Sequence, residues 1–158
     1  MRLSHRKLTN LNLKSEVCAL ENAKIPFEIE VRKECENLKI VEITSNPPQL
    51  ILTLHHNLDF LKLHGRGFNH NILSHVYHAQ IELSMCRDIP NTSFNLLRAL
   101  TLEVERTDTL EVISEITKKA PFLRKLAVVD KSTLSSHIAT SFAVESNSLR
   151  AVVIKGLR

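Results

Sequence analysis

Glycine is scarce in this chain: Gly65, Gly67 and Gly156 are the only three in 158 residues. Gly65-Arg66-Gly67 lacks the later glycine of a dinucleotide loop and the Gly-Lys-Ser/Thr of a phosphate loop. The Gly-x-Ser-x-Gly elbow of a hydrolase, the HExxH pair of a zinc protease and the acidic loop of an EF-hand are missing as well. Tryptophan is absent and aromatics make up 4%, which weakens any stacking platform for single-stranded nucleic acid. Cys18, Cys35 and Cys86 are odd in number, widely spaced and without a Cys-x-x-Cys pair. That argues against a disulfide framework and a structural zinc site, and the three read as reduced thiols of a cytoplasmic or nuclear protein. No apolar run approaches the roughly 20 residues that span a bilayer, so no membrane partner is expected. The basic start MRLSHRKLTN is not followed by the apolar stretch of a secretory signal, which makes the sequon Asn91-Thr92-Ser93 a chance match.

Histidine is unevenly placed. His55, His56, His64, His70, His75 and His78 crowd one stretch, yet no pair has a ligand spacing with a carboxylate or cysteine partner. They read as packing or surface residues, and neither a metal nor a cofactor is expected. A cysteine nucleophile needs a low-pKa thiolate and an oriented base, and nothing local identifies one, so the chain reads as a non-enzyme. What is present is ordinary globular material: 43% hydrophobic and 24% charged residues, enough for one domain over 1–158. The net charge of +4 and pI near 9.1 favour an acidic partner, although both signs of charge are mixed along the chain.

One pattern recurs throughout. The template LxxLxL, with conservative replacements, appears as LTNLNL from Leu8, LKIVEI from Leu38, LDFLKL from Leu58 and HAQIEL from His78. It continues as LRALTL from Leu97, LRKLAV from Leu123 and LRAVVI from Leu149. The starts are 30, 20, 20, 19, 26 and 26 residues apart. The last two apolar positions of a unit are two residues apart, so in a strand they share a face. A single such strand cannot bury its apolar edge, whereas stacked copies cap one another.

These units resemble the leucine-rich-repeat superfamily over residues 8–154. The resemblance implies an α/β solenoid of about seven irregular repeats, with short parallel strands on the concave face and helices or turns on the convex face. The family motif continues to an Asn or Cys at the ninth place, matched here by Asn46 and Cys86, with Glu16, Arg66, Glu105, Lys131 and Leu157 in the other units. Cys86 and the mixed spacing look similar to the cysteine-containing type found in F-box substrate receptors. An ordinary open parallel sheet is the competing fold, and seven in-phase units favour the solenoid.

Between the units, Asp108 to Glu111 reads as a helix start, followed by Leu110, Ile113 and Ile116 and stopped by Pro121. Leu134, Ile138 and Phe142 mark one face of a second helix, and Ile72, Leu73, Val76 and Tyr77 fit two helical turns. Residues 26–36 suit either a strand (Phe27, Ile29, Val31) or a helix begun by Pro26, and the helix is the preferred expectation.

The solenoid predicts which residues meet a partner. The second residues of the units are Thr9, Lys39, Asp59, Ala79, Arg98, Arg124 and Arg150, and those between the core positions are Asn12, Glu42, Lys62, Glu82, Thr101, Ala127 and Val153. Arg98, Arg124 and Arg150 form a column of three, joined by Lys125 and Lys155, that suits carboxylate or phosphate. Lys62 and Phe60, with Ile40, offer a mixed and partly apolar patch on the other half. The expected function is a protein–protein interaction scaffold binding an acidic or phosphorylated partner, as in a ubiquitin ligase substrate receptor; the alternative is an RNA-binding repeat domain of an RNA-processing or export factor. The repeats run almost to both ends with no room for caps, so a fragment, or a subunit capped by another chain, is expected; no F-box helix precedes them.

Overall fold

Aliphatic and polar residues alternate through IVEIT, LDFLKLH and ALTLEV, which dictates pleated strands with one apolar face. The computed structural model describes residues 2–3, 5–14, 27–44, 50–64, 70–83, 93–104, 110–131 and 147–156. Within them lie strands β1 (Arg2–Leu3), β2 (Asn10–Lys14), β3 (Phe27–Val31), β4 (Ile40–Thr44), β5 (Leu50–Leu54) and β6 (Leu58–His64). Then come β7 (Val76–Leu83), β8 (Ala99–Val104), helix α1 (Leu110–Lys119), β9 (Lys125–Asp130) and β10 (Ala151–Gly156). Short 3-10 turns cover Lys33–Cys35 and His70–His75.

Strands β2, β4, β6, β7, β8, β9 and β10 form one seven-stranded sheet, in chain order and parallel throughout. The remaining strands, β1, β3 and β5, form a second parallel sheet of three. The architecture is a mostly parallel β arrangement with few helices, α/β in type and without a closed barrel among the described residues. From β1 to β6 the chain alternates between the two sheets. Ile29, Val31, Leu52 and Leu54 of the smaller sheet lie in the same buried cluster as Val41, Ile43, Leu61 and Leu63 of the larger one. The layer behind the large sheet then changes form along the chain. It is strand at β3 and β5, a 3-10 turn at 70–75 supplying Ile72 and Leu73, and helix at α1 supplying Ile113 and Ile116.

Geometry explains the unequal spacing of the units. A five-residue strand spans roughly 16 Å at ~3.3 Å per residue, and a ten-residue helix roughly 15 Å at ~1.5 Å per residue. Crossing the same depth as helix therefore takes about five residues more. The 20-residue interval holds β5, and the 26-residue interval after Leu97 holds α1.

Register aligns Leu11, Val41, Leu61, Ala79, Leu100, Leu126 and Val152 in one inward row, and Leu13, Ile43, Leu63, Ile81, Leu102, Val128 and Ile154 in the next. The fourth unit is thus VYHAQI from Val76, not HAQIEL from His78, because Leu58 pairs with Val76. Burial selects this register: it puts the apolar Val76 in the fully buried first position and leaves His78 exposed. The ninth place of that unit becomes Ser84, so Cys86 leaves the repeat position that carried the likeness to F-box receptors.

A further repeated feature lies upstream of the template. The N–H of Leu8, Leu38, Leu97 and Leu123 donates to the carbonyl three residues earlier, in His5, Cys35, Phe94 and Ala120. Cys35, Leu73, Phe94 and Ala120, each three residues before a unit, are fully buried, so this turn adds its own layer to the core. Phe94 also donates its N–H to the Lys119 carbonyl at 2.7 Å, satisfying an orphan acceptor at the end of α1.

Three expectations need correction. Residues 27–31 are a strand rather than a helix, because alternation sends Ile29 and Val31 inward and the backbone pairs with β1 and β5. Val76 and Tyr77 belong to β7, so the helical stretch before them is the 3-10 helix His70–His75, not an α-helix reaching Tyr77. Val152, aligned with the inward row, is 47% exposed, and β10 is the outermost strand of its sheet among the described residues. Asp108, Asn46, Cys18, Cys86 and the segment bearing Leu134, Ile138 and Phe142 lie outside the described residues.

Candidate functional site

Pleating alternates side chains, so the third, fifth and seventh residues of each unit point away from the core and form one broad outer face. Correcting the fourth unit puts Tyr77 and Gln80 where Ala79 and Glu82 were expected; Ala79 is buried and Glu82 moves to the seventh row.

The centre of this face is a polar network. Glu82 and Glu103 are direct cross-strand partners, an arrangement that repels unless flanked by positive charge. His64 contacts Glu82 from one side and Lys131 contacts Glu103 from the other. Gln80 Nε2 donates to Glu103 Oε1 at 2.8 Å. Burial pulls the Glu103 pKa upward, but the hydrogen bonds from Lys131 and Gln80 and the charges of Lys131 and His64 outweigh it. Its carboxyl is held below the ordinary value. At the β2 end, Asn12 Nδ2 donates to Glu42 Oε2 at 3.2 Å. The acids at the centre are therefore answered within the sheet.

The arginines sit differently. Arg98 donates its N–H to Tyr77 O at 2.8 Å, Arg124 to Arg98 O at 2.8 Å, and Arg150 to Arg124 O at 2.9 Å. The three residues thus occupy successive rungs, about 4.8 Å apart. They lie in the turns before β8, β9 and β10, so they form a rim at the strand starts rather than part of the pleated outer face. Their side chains are not equivalent. The Arg98 guanidinium stacks over the Phe122 ring at 4.9 Å and donates through Nη1 to Asn95 O at 2.8 Å. Arg124 and Arg150 are exposed.

The remaining expected site residues are spread apart. Lys125 begins β9 in the third row beside Arg124, whereas Lys155 lies in the seventh row. Four residues of strand separate those rows, roughly 13 Å. Phe60 is half-buried between Ile40 and His78, and Lys62 stands between Glu42 and Gln80, both on β6, three strands from β9. The structure therefore gathers Arg124, Arg150 and Lys125 at one rim and separates Lys155, Lys62 and Phe60 from them.

Sequence reasoning passed over Phe122, which anchors Arg98, and over the aliphatic edge at Val152, Val153 and Ile154. The signal for the exposed aliphatics was available in the consecutive run Ala-Val-Val-Ile of Arg-Ala-Val-Val-Ile-Lys. The histidines serve separate local roles: His55 faces Glu30 at 3.4 Å, and His56 Nε2 bonds Leu38 O at 2.9 Å. Among the described residues no group of three His, Cys, Asp or Glu is placed to hold a metal, and no helix is long and apolar enough to cross a membrane. No family model, curated protein or solved structure matches the chain.

Proposed function

We propose that this chain is a solenoid of the leucine-rich-repeat type acting as a non-enzymatic protein-interaction scaffold, and that it takes an acidic or phosphorylated protein segment at the arginine rim. One observation carries the reading: Arg98, Arg124 and Arg150 stack on successive rungs, with Arg98 held by Phe122 while Arg124 and Arg150 stay exposed. Two like charges about 4 Å apart cost about 1 kcal/mol in water, a modest penalty that a bidentate carboxylate or phosphate relieves. The ninth place of the fourth unit is Ser84 rather than Cys86, which removes the residue that pointed to a ligase receptor. The outer face has a satisfied acidic pair, Glu82 and Glu103, at its centre, which disfavours an extended RNA backbone there.

The test is affinity capture from native lysate with the wild-type chain and with Arg124→Glu/Arg150→Glu. A saturable partner whose recovery drops at least tenfold with the double reversal supports the reading. Equal recovery overturns it, and binding dominated by RNA with a steep dependence on salt replaces it with the nucleic-acid alternative.

A further inference from the structure

The rim of second residues extends past the arginines. Asp59 donates its N–H to Lys39 O at 2.9 Å, and Tyr77 is level with Asp59 in the register of β6 and β7. Arg98, Arg124 and Arg150 continue the ladder. From β4 to β10 the rim therefore reads Lys39, Asp59, Tyr77, Arg98, Arg124, Arg150, one residue per strand. Lys39, Asp59, Arg124 and Arg150 are exposed, while Tyr77 and Arg98 are half-buried. Among the described residues none of the exposed four has an ion-pair partner. Three cations thus run together before β8, β9 and β10, an aromatic follows at β7, and an acid at β6.

The pitch of this ladder selects the shape of what lies along it. Rungs are about 4.8 Å apart, so about 9.6 Å separates Arg150 from Arg98 and about 19 Å separates Arg150 from Asp59. A helix crossing the strands presents one side at i, i+4, i+7, i+11 and i+14. At ~1.5 Å per residue the last four fall about 6, 10.5, 16.5 and 21 Å along its axis. Each lies within about 2 Å of its rung, a gap that long arginine side chains absorb. An extended segment offers one side every second residue, about 6.7 Å, and misses Arg98 by about 4 Å and Asp59 by about 8 Å.

Charge then orients the helix. Glutamates at i, i+4 and i+7 meet Arg150, Arg124 and Arg98, an apolar residue at i+11 packs on Tyr77, and a lysine at i+14 meets Asp59. Acids near the N-terminus and a base near the C-terminus also suit the helix dipole. Arg98, held by Phe122 and Asn95, gives the third acid a fixed seat.

We propose that the rim from β6 to β10 takes an amphipathic acidic helix of a partner protein, lying across the strands with its N-terminus over β10. This rests on the reading of the arginine rim and adds the partner's shape and direction.

The probe is a fluorescein-labelled peptide with Glu at i, i+4 and i+7, Leu at i+11, Lys at i+14 and Ala and Gln elsewhere, titrated by anisotropy into the full chain. One comparison has the same composition with its glutamates on alternate residues, and another has Pro at a central position. The striped peptide should bind saturably, at least tenfold more tightly than either, and should lose at least tenfold in Arg124→Glu/Arg150→Glu. Asp59→Lys, an exposed change, should weaken it, and a striped peptide ending in Glu should bind that variant more tightly than it binds the wild-type chain. Equal binding of striped and alternate peptides, both lost in the arginine reversal, overturns the helix and leaves the arginine rim standing. Binding that the reversal leaves unchanged, or no binding of any acidic peptide, overturns both. An Asp59→Lys chain that binds the Lys-ended and Glu-ended peptides as the wild type does overturns the proposed direction.

Discussion

Leu61 and Val152 occupy the same inward row, four strands apart, and truncating each to alanine measures whether that row bounds one interior. Leu61 is fully buried on β6, packed in the cluster that joins both sheets. Its truncation removes three carbons at roughly 0.8 kcal/mol per buried methylene, about 2.4 kcal/mol, and the cavity left behind carries the cost to ~3–4 kcal/mol. Val152 loses two carbons, and with 47% of the residue already exposed the cost is about 0.8 kcal/mol. A urea denaturation slope near ~2 kcal/mol per molar then separates the two midpoints by a little over ~1 M. Unfolding followed by far-ultraviolet circular dichroism reads the difference directly, since the strands and helix report together. Midpoints within ~0.3 M of one another would refute the shared interior, because a row split among separate cores has no reason to grade from centre to edge.

Three smaller changes probe other parts of the molecule. Glu103 has a lowered pKa, so its contribution to stability is present above its ordinary titration range and is lost as pH falls through the lower folded value. Lys131→Ala should raise that folded value and move the acid-unfolding midpoint to higher pH, and an unchanged midpoint would show that the network does not act. Cys35 is fully buried and accepts a hydrogen bond from the His5 N–H at 3.2 Å. Its peptide should resist alkylation in the native chain and react on addition of urea, read by mass spectrometry after digestion. Phe122→Ala should cost about 0.5–1 kcal/mol through loss of the cation–π contact, a cost that vanishes in an Arg98→Ala background if the two act as a pair.

The repeat was legible because aliphatic residues two apart must share a face of a strand, and six of the seven units stand where the template put them. The fourth failed for a reason built into the same rule. VYHAQI and HAQIEL differ by a shift of two, which preserves the face, so Ile81 points inward in both. The apolar Val76 against the polar His78 at the first position is the one local clue, and the pairing of Leu58 with Val76 on the neighbouring strand agrees with it. The smaller sheet escaped for a related reason. Phe27, Ile29 and Val31 alternate, but Pro26 also starts helices, and five residues are too few for periodicity to decide. Pairing with β1 and β5 decided it. The arginine column was visible as spacing. Its place at the rim was not, because the second residue of a unit precedes the strand and escapes the pleat that orients the rest.

The distribution of charge along the sheet separates the places where a partner gains nothing from those where it gains most. Glu82 and Glu103, at the centre, already have His64, Lys131 and Gln80, so a ligand there must displace contacts before making its own. On the proposed reading, a ligand at the rim before β9 and β10 would meet the exposed Arg124, Lys125 and Arg150. Arg98 differs from its two neighbours because Phe122 and Asn95 hold its guanidinium in a fixed direction, which lowers the entropy lost on binding. On the proposed reading, a fixed arginine beside two exposed ones would give a negatively charged group a defined seat. Affinity should therefore fall further when Phe122 is removed than its small share of stability would suggest.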